Sequence, residues 1–289
     1  LSDIDCYSET CITIKTVAAP TADNVTVCFD GLPHSATAST PHASIAYYAA
    51  SSGGSQLGGP PTGTAFGTYS AWAEATDSTS LCVSARTQVT LTIKKRPAVT
   101  PVSNRRYCNN EGAPLIPFTA TPAGGTFAWT SSSDIGFGTD GTGDIPASTA
   151  TNGTNAPVLA VINVSVTAVN GCASLPVTFN DTVFPTPIVN TISNKAYCNG
   201  DAAPAIYFSS PTSGTVHYNW SSDINIGASG VDSIVFAPVN VTPDPIVSTV
   251  TVSASVYGCS GPGTNFTITI NPSPVPTIIP DYCSVPNKL

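Results

Sequence analysis

An all-β chain of tandem β-sandwiches is what this sequence predicts, and three observations predict it. The first is composition. Only 9% of the 289 residues are charged, Met is absent, and Gly and Pro number 23 and 26. Ser, Thr, Ala and Val fill much of the rest, so the chain is poor in helix formers and rich in β-branched residues that suit a pleated surface. The second is alternation. Residues 158–169 are apolar but carry Asn163, Ser165 and Thr167 at every second position, the period of a half-buried strand. The third is repetition: "SNRRYCNNEGAP" at 103–114 returns as "SNKAYCNGDAAP" at 193–204 and, more faintly, as "IIPDYCSVPNK" at 278–288.

The period of that repeat is domain-sized. Cys108 and Cys198 are 90 residues apart, Cys198 and Cys283 85, Cys172 and Cys259 87, and Trp129 and Trp220 91. Solenoid repeats run about 20 to 50 residues, so a longer period marks whole domains in series. Each copy reads in one order. "YC" comes first, then Trp in "FAWTSSSDIG" or "YNWSSDINIG", a Gly-rich stretch and a long alternating strand. A turn bearing a second cysteine follows ("AVNGCAS", "SVYGCSG"), then a last strand. Asn170-Gly171 suits a hairpin turn because both residues tolerate positive φ. Short strands around a buried Trp, with one long-range cysteine pair, describe an immunoglobulin-like β-sandwich.

Taken in order, residues 1–18, with the strand "CITIKTV", end a preceding repeat. Cys6 precedes Pro20 by 14 residues, as Cys82, Cys172 and Cys259 precede Pro97, Pro185 and Pro272 by 15, 13 and 13. Residues 19–97 form a sandwich of a different subfamily, with Trp72 late in it. Residues 98–186 and 187–274 form two closely similar sandwiches, and 275–289, with Cys283, open a following repeat. The linkers "KKRPAVTP", "FPTPIVN" and "NPSPVPTIIP" are proline-rich and semi-rigid, which predicts an elongated array. The expected disulfides are Cys28–Cys82, Cys108–Cys172 and Cys198–Cys259, each closing one sandwich. Such bridges need an oxidising compartment outside the cytoplasm.

Several function classes are disfavoured. A net charge of −8 and one short basic run, Lys94 to Arg96, leave no footprint for nucleic acid. No stretch approaches the roughly 20 apolar residues of a membrane span. Disorder sits poorly with 41% hydrophobic residues and a mean hydropathy of +0.15. The three histidines, His34, His42 and His217, are dispersed, and neither GxSxG nor CxxC occurs, so no catalytic, metal or cofactor site is expected. Asp134, Asp140, Asp144, Asp223 and Asp232 read as turn formers. "TDGTGD", with Asp140 and Asp144, lacks the spacing of a calcium loop. Trp129 and Trp220 could stack on sugar, but their shared position favours core packing against the disulfide. The sequons at Asn152, Asn163, Asn219, Asn240 and Asn265 matter only in a eukaryotic host.

The "YCNG…P" opening, the "W(T/S)SS…IG" segment and the "NGC" hairpin resemble the PKD-like repeats of giant cell-surface adhesins of Bacteroidetes, gliding-motility adhesins among them. "YYAASSGGSQLGG…AEATDSTSLCVSARTQVTLTI" is similar to the bacterial Ig-like module of the same proteins. The resemblance implies type nine secretion and cell-surface display. It also implies O-glycosylation of the Asp-Ser/Thr pattern at Ser78, Thr182 and Ser233. The expected function is a structural or adhesive repeat region without catalysis. Its expected partners are further repeats of the same protein at both ends, and surface polysaccharide or another cell. Two alternatives are a carbohydrate-binding accessory region of a secreted enzyme, gripping sugar through Trp72, and a filament subunit in which "CITIKTV" completes a neighbour's sheet by strand addition.

Overall fold

The structure, a computed structural model, describes residues 16–41, 43–224 and 229–274. Cys6, Cys11, His42, Cys283, most of "CITIKTV" and nearly all of the two terminal part-repeats lie outside the described residues. All regular structure among the described residues is β. By contact the chain divides into two compact units. One holds residues up to 100 with 118–127 and 165–177; the other holds 101–117, 128–164 and the chain from 178 on.

Three sheets carry the fold. The first contains β1 (Val25–Cys28), β2 (Ala43–Tyr48), β3 (Gln56–Leu57), β4 (Gly67–Asp77) and β5 (Thr87–Lys94), in the order β1-β5-β4-β2-β3. The second contains β6 (Arg105–Cys108), β7 (Thr126–Ser131), β8 (Asp140–Thr142), β9 (Val158–Thr167) and β10 (Val177–Phe184), in the order β6-β10-β9-β7-β8. The third contains β11 (Lys195–Cys198), β12 (His217–Ser222), β13 (Ser229–Val231), β14 (Ile246–Val256) and β15 (Thr264–Asn271), in the order β11-β15-β14-β12-β13. The order is the same in all three. Short two-stranded ladders accompany them, such as Thr21–Asp23 with Thr37–Ser39 and Ile206–Tyr207 with Ser233–Ile234. The chain is a tandem array of immunoglobulin-like β-sandwiches.

Alternation does what a half-buried sheet requires. Along β9, Ala160, Ile162, Val164 and Val166 are buried while Asn163 is exposed; along β15, Phe266, Ile268 and Ile270 are buried. The third core gathers these last three with Trp220, Val250, Val252 and Ile234. The first core is smaller, with Ala36, Ala73, Val89, Leu91 and Ile93 packed against Tyr47 and Tyr69.

The repeated sequence is an edge-strand device. Asn104 and Asn194 accept the backbone N–H of Asn180 and Thr267 at 2.8 and 2.9 Å, and Asn24 does the same for Thr90 at 2.8 Å. Four residues on, Cys108 and Cys198 end their strands, with N–H groups accepted by Glu111 and Asp201 at 2.7 Å. Asn109 and Asn199 then accept the N–H of Asn152 and Asn240 at 2.8 Å. Each "YCN" thus locks the first strand to both the last strand and the long loop.

The predicted pairing of the cysteines is corrected by that strand. β1, β6 and β11 run parallel to the last strand of their sheet, so Cys28, Cys108 and Cys198 stand opposite Lys94, Phe184 and Asn271 at its far end. The hairpin cysteine lies before the start of that last strand. Seven residues of strand separate the two ends of β10, about 23 Å at 3.3 Å per residue. A disulfide needs Cα atoms about 5.5 Å apart. Cys108–Cys172 therefore cannot form within one sandwich, and the same holds for Cys28–Cys82 and Cys198–Cys259. The bridges present are Cys28–Cys172 and Cys108–Cys259, each with Cα atoms 5.6 Å apart. They join one sandwich to the next.

Candidate functional site

The chemistry of the chain concentrates where a strand-end cysteine meets a hairpin cysteine. The hairpin comes first. Leu81, Gly171 and Gly258, each just before the cysteine, have φ of 55°, 84° and 87°. This left-handed residue turns the chain so that the cysteine projects at the tip. Two residues beyond the cysteine, the N–H groups of Ser84, Ser174 and Gly261 return to the carbonyls of Ala75, Val166 and Ala254 at 2.8 to 2.9 Å. In the first two cases the serine hydroxyl also accepts the N–H of that same residue, at 2.9 and 3.0 Å.

At the first junction, Lys94, opposite Cys28, donates through Nζ to the Asn170 carbonyl at 2.9 Å. Asn170 in turn donates through Nδ2 to the Lys95 carbonyl at 3.1 Å. Arg96 bonds the carbonyls of Phe29 and Ala173. The basic run is thus the polar clamp of a domain junction. At the second junction the clamp is apolar. Phe184, opposite Cys108, packs on Tyr257 with ring centroids 4.9 Å apart, under the guanidinium of Arg106 at 4.5 Å. Gly261 is so close to the Pro187 carbonyl that a Cβ there would lie 1.7 Å from its oxygen. Cys172 and Cys259 are buried, at 0% and 2% exposure. Cys82 and Cys198 are exposed and carry no bridge among the described residues.

The tryptophans divide by face. Trp129 and Trp220 are buried, but they pack on glycine across the sheet rather than on a disulfide. Trp129 also meets Phe137 edge to face at 5.6 Å. Trp72 lies on the outer face of its sheet between Tyr48 and Gln88, half-buried. Arg86 covers the Tyr48 ring at 3.5 Å and bonds Glu74 at 2.9 Å.

Three of the acidic candidates accept backbone N–H groups. Asp134 accepts the N–H of Gly136 and Gly138, and these bonds hold its carboxyl below the usual range. Asp223 is lowered chiefly by the Thr249 N–H, and Asp232 accepts the Tyr218 N–H at 3.0 Å. Asp140 lies on β8. Among the described residues no three His, Cys, Asp or Glu cluster as metal ligands would, and no helix is long and apolar enough to cross a membrane. Of the suggested glycosylation sites, Ser78 is exposed in a turn, whereas Thr182 and Ser233 are half-buried in strands.

Two of the sequons proved to be structural. Asn152 is 5% exposed; its Nδ2 donates to the carbonyls of Ala156 and Val183, and its Oδ1 accepts from Thr154. Asn240, 2% exposed, repeats every bond with Asp244, Ile270 and Thr242. The signal was present in the sequence as Asn-x-Thr at a spacing of 88, close to the domain period. Asp181 entered the sequence reading only as the Asp preceding Thr182, with no structural role. It is fully buried in β10 and accepts the Arg105 N–H at 3.1 Å, and burial raises its carboxyl above the usual range.

No protein-family model matches this chain, and no curated protein is similar to it. Among solved structures, it is similar to the I-band fragment I67–I69 of titin, at 12% identity and TM-score 0.48, over 88% of this chain and 97% of that one. It is also similar to Sidekick-1 immunoglobulin domains 1–5, at 15% identity and TM-score 0.33, over 87% and 57%. The protocadherin GammaB4 extracellular domain is similar at 15% identity and TM-score 0.36, over 91% and 52%. At such scores the three carry no argument beyond the sheets described above.

Proposed function

We propose that this chain is a structural and adhesive repeat region of a large extracellular bacterial surface protein. The observation that carries the reading is the bridging of each sandwich to the next by a disulfide. A bridge inside a domain stabilises that domain; a bridge between domains transmits tension, which is useful in a stalk and idle in an enzyme. Disulfides also belong to oxidising compartments. The bacterial surface, the type nine export route and the link to gliding motility rest on the resemblance of the "YCN" and "W(T/S)SS" motifs alone, as does O-glycosylation at Ser78, Thr182 and Ser233. In this reading the domains run 19–97, 98–186 and 187–274, and further repeats of the same protein adjoin both ends.

Antibody labelling of intact producing cells tests the proposal. Surface label removed by external protease is the expected result; label only after permeabilisation overturns it.

A second reading, carbohydrate binding, has one observation in its favour: Trp72 on the outer face beside the Glu74–Arg86 pair. Glycan-array binding that Trp72→Ala abolishes would support it, and an array without signal would remove it.

A further inference from the structure

We infer that Cys82 and Cys198 are the two open halves of a disulfide daisy chain, each taking the complementary cysteine of another sandwich of this type. The inference deepens the stalk reading and rests on the internal repeat of the fold. Three strand-end cysteines occupy one register position, opposite Lys94, Phe184 and Asn271. Two of them, Cys28 and Cys108, are bonded to the hairpin cysteine of the next sandwich. The third, Cys198, has the same local frame as Cys108. Its N–H is accepted by the carboxylate three residues on, and the following Asn donates to a hydroxyl beyond the last strand, Ser273 where Cys108 has Thr186.

The hairpin cysteines repeat the argument from the other side. Cys82, Cys172 and Cys259 each follow a left-handed residue. The two whose strand-end partner is present are buried, and Cys82 is exposed. Exposure of the hairpin thiol thus follows the absence of a preceding sandwich among the described residues. Leu81 holds φ 55° at this position and is 76% exposed, so the chain keeps the same left-handed turn before Cys82 although Leu is disfavoured there.

The recognising chemistry is therefore defined. Cys198 takes a hairpin thiol that follows a left-handed residue, and Cys82 takes a strand-end thiol in the "YC" setting. Two sources supply these: adjoining repeats of the same polypeptide, or a second copy, in which Cys198 of one chain meets Cys82 of the other. Each bridge forms by thiol–disulfide exchange. The two thiols lose two protons and two electrons, and a protein donor disulfide of the oxidising compartment takes them up and is reduced to two thiols.

The test is maleimide trapping of the native protein under denaturing conditions, followed by proteolysis without reduction and mass spectrometry. We expect neither Cys198 nor Cys82 to carry maleimide, and each to appear in a cross-linked peptide with a cysteine of the complementary kind. Non-reducing electrophoresis separates the sources. A ladder of chain multiples that Cys198→Ser collapses to monomer marks a second copy, and an unchanged monomer mass marks adjoining repeats. Near-complete maleimide labelling of both thiols overturns the inference, as does a bridge from Cys82 to Cys6 or Cys11, or from Cys198 to Cys283. Both cysteines are exposed, so their Ser variants should fold; thermal melts within about 2 °C of the parent under reducing conditions check this.

Discussion

Gly141 stands directly opposite Trp129 in the β7–β8 pair, and the indole ring occupies the space a side chain at 141 would need. A Cβ there would lie 2.4 Å from the ring. Gly230 stands in the same relation to Trp220, with 2.7 Å to Nε1. The two Trp residues are therefore core pillars seated on glycine, although only Trp220 finds a hydrogen bond for its N–H, to the Ser233 carbonyl at 2.9 Å.

Gly141→Ala and Gly230→Ala should each destabilise the chain by about 1–3 kcal/mol, the usual cost of forcing volume into a packed core. Urea denaturation followed by Trp fluorescence measures this. Changes below about 0.5 kcal/mol would show that the indole can move aside.

Asn240→Ala and Asn152→Ala should cost about 3 kcal/mol each, since four hydrogen bonds are lost and buried carbonyls of Ile270 and Val183 are orphaned. Thr242→Ala and Thr154→Ala, which remove only the exposed partner, should cost less than half as much. Equal effects from the two kinds of variant would contradict this assignment.

Acid titration of stability should separate two classes of carboxylate. Asp134 and Asp223 have lowered folded-state pKa values, so their contribution is present above about pH 4 and disappears as pH falls through the folded value. Asp181 is raised. Its contribution is complete below about pH 4 and is lost as pH rises through its folded value. Relative to Asp181→Asn, the parent should thus lose stability on going from pH 4 towards neutrality. Denaturation midpoints of both proteins across that range would show it; parallel curves would not fit a buried, raised Asp181.

Stretching should expose the bridges directly. From Cys28 to Cys259 the backbone runs 231 residues, but the shortest covalent path crosses both disulfides and includes only the 64 residues between Cys108 and Cys172. At about 3.5 Å per residue the oxidised path reaches roughly 220 Å, against roughly 800 Å once reduced. Single-molecule force spectroscopy with and without reductant reads this difference. Equal contour lengths would mean the bridges do not form.

Much of this was legible in the residues, because strand patterning is local. The period-two pattern of 158–169, the Asn170-Gly171 turn and the 90-residue echo of "YCN" needed no tertiary information to announce tandem sandwiches. The burial of Trp129 and Trp220 was readable from their shared place in each repeat. The structural sequons were half-visible, as a motif at the domain period whose purpose only hydrogen-bond partners reveal. Asp181 was hidden, because nothing in "FNDTVF" says which strand will cover it.

The sequence by itself determined that the cysteines belong to the repeat, one at the opening of each copy and one at a hairpin. Which cysteine meets which was decided only by the tertiary structure. The first strand pairs parallel with the last, and that one choice of direction carries its cysteine to the far end of the sandwich, about 23 Å from the hairpin of its own domain. Strand direction in a sheet is a long-range property, and no local pattern encodes it; once taken, it turns internal staples into links between neighbours.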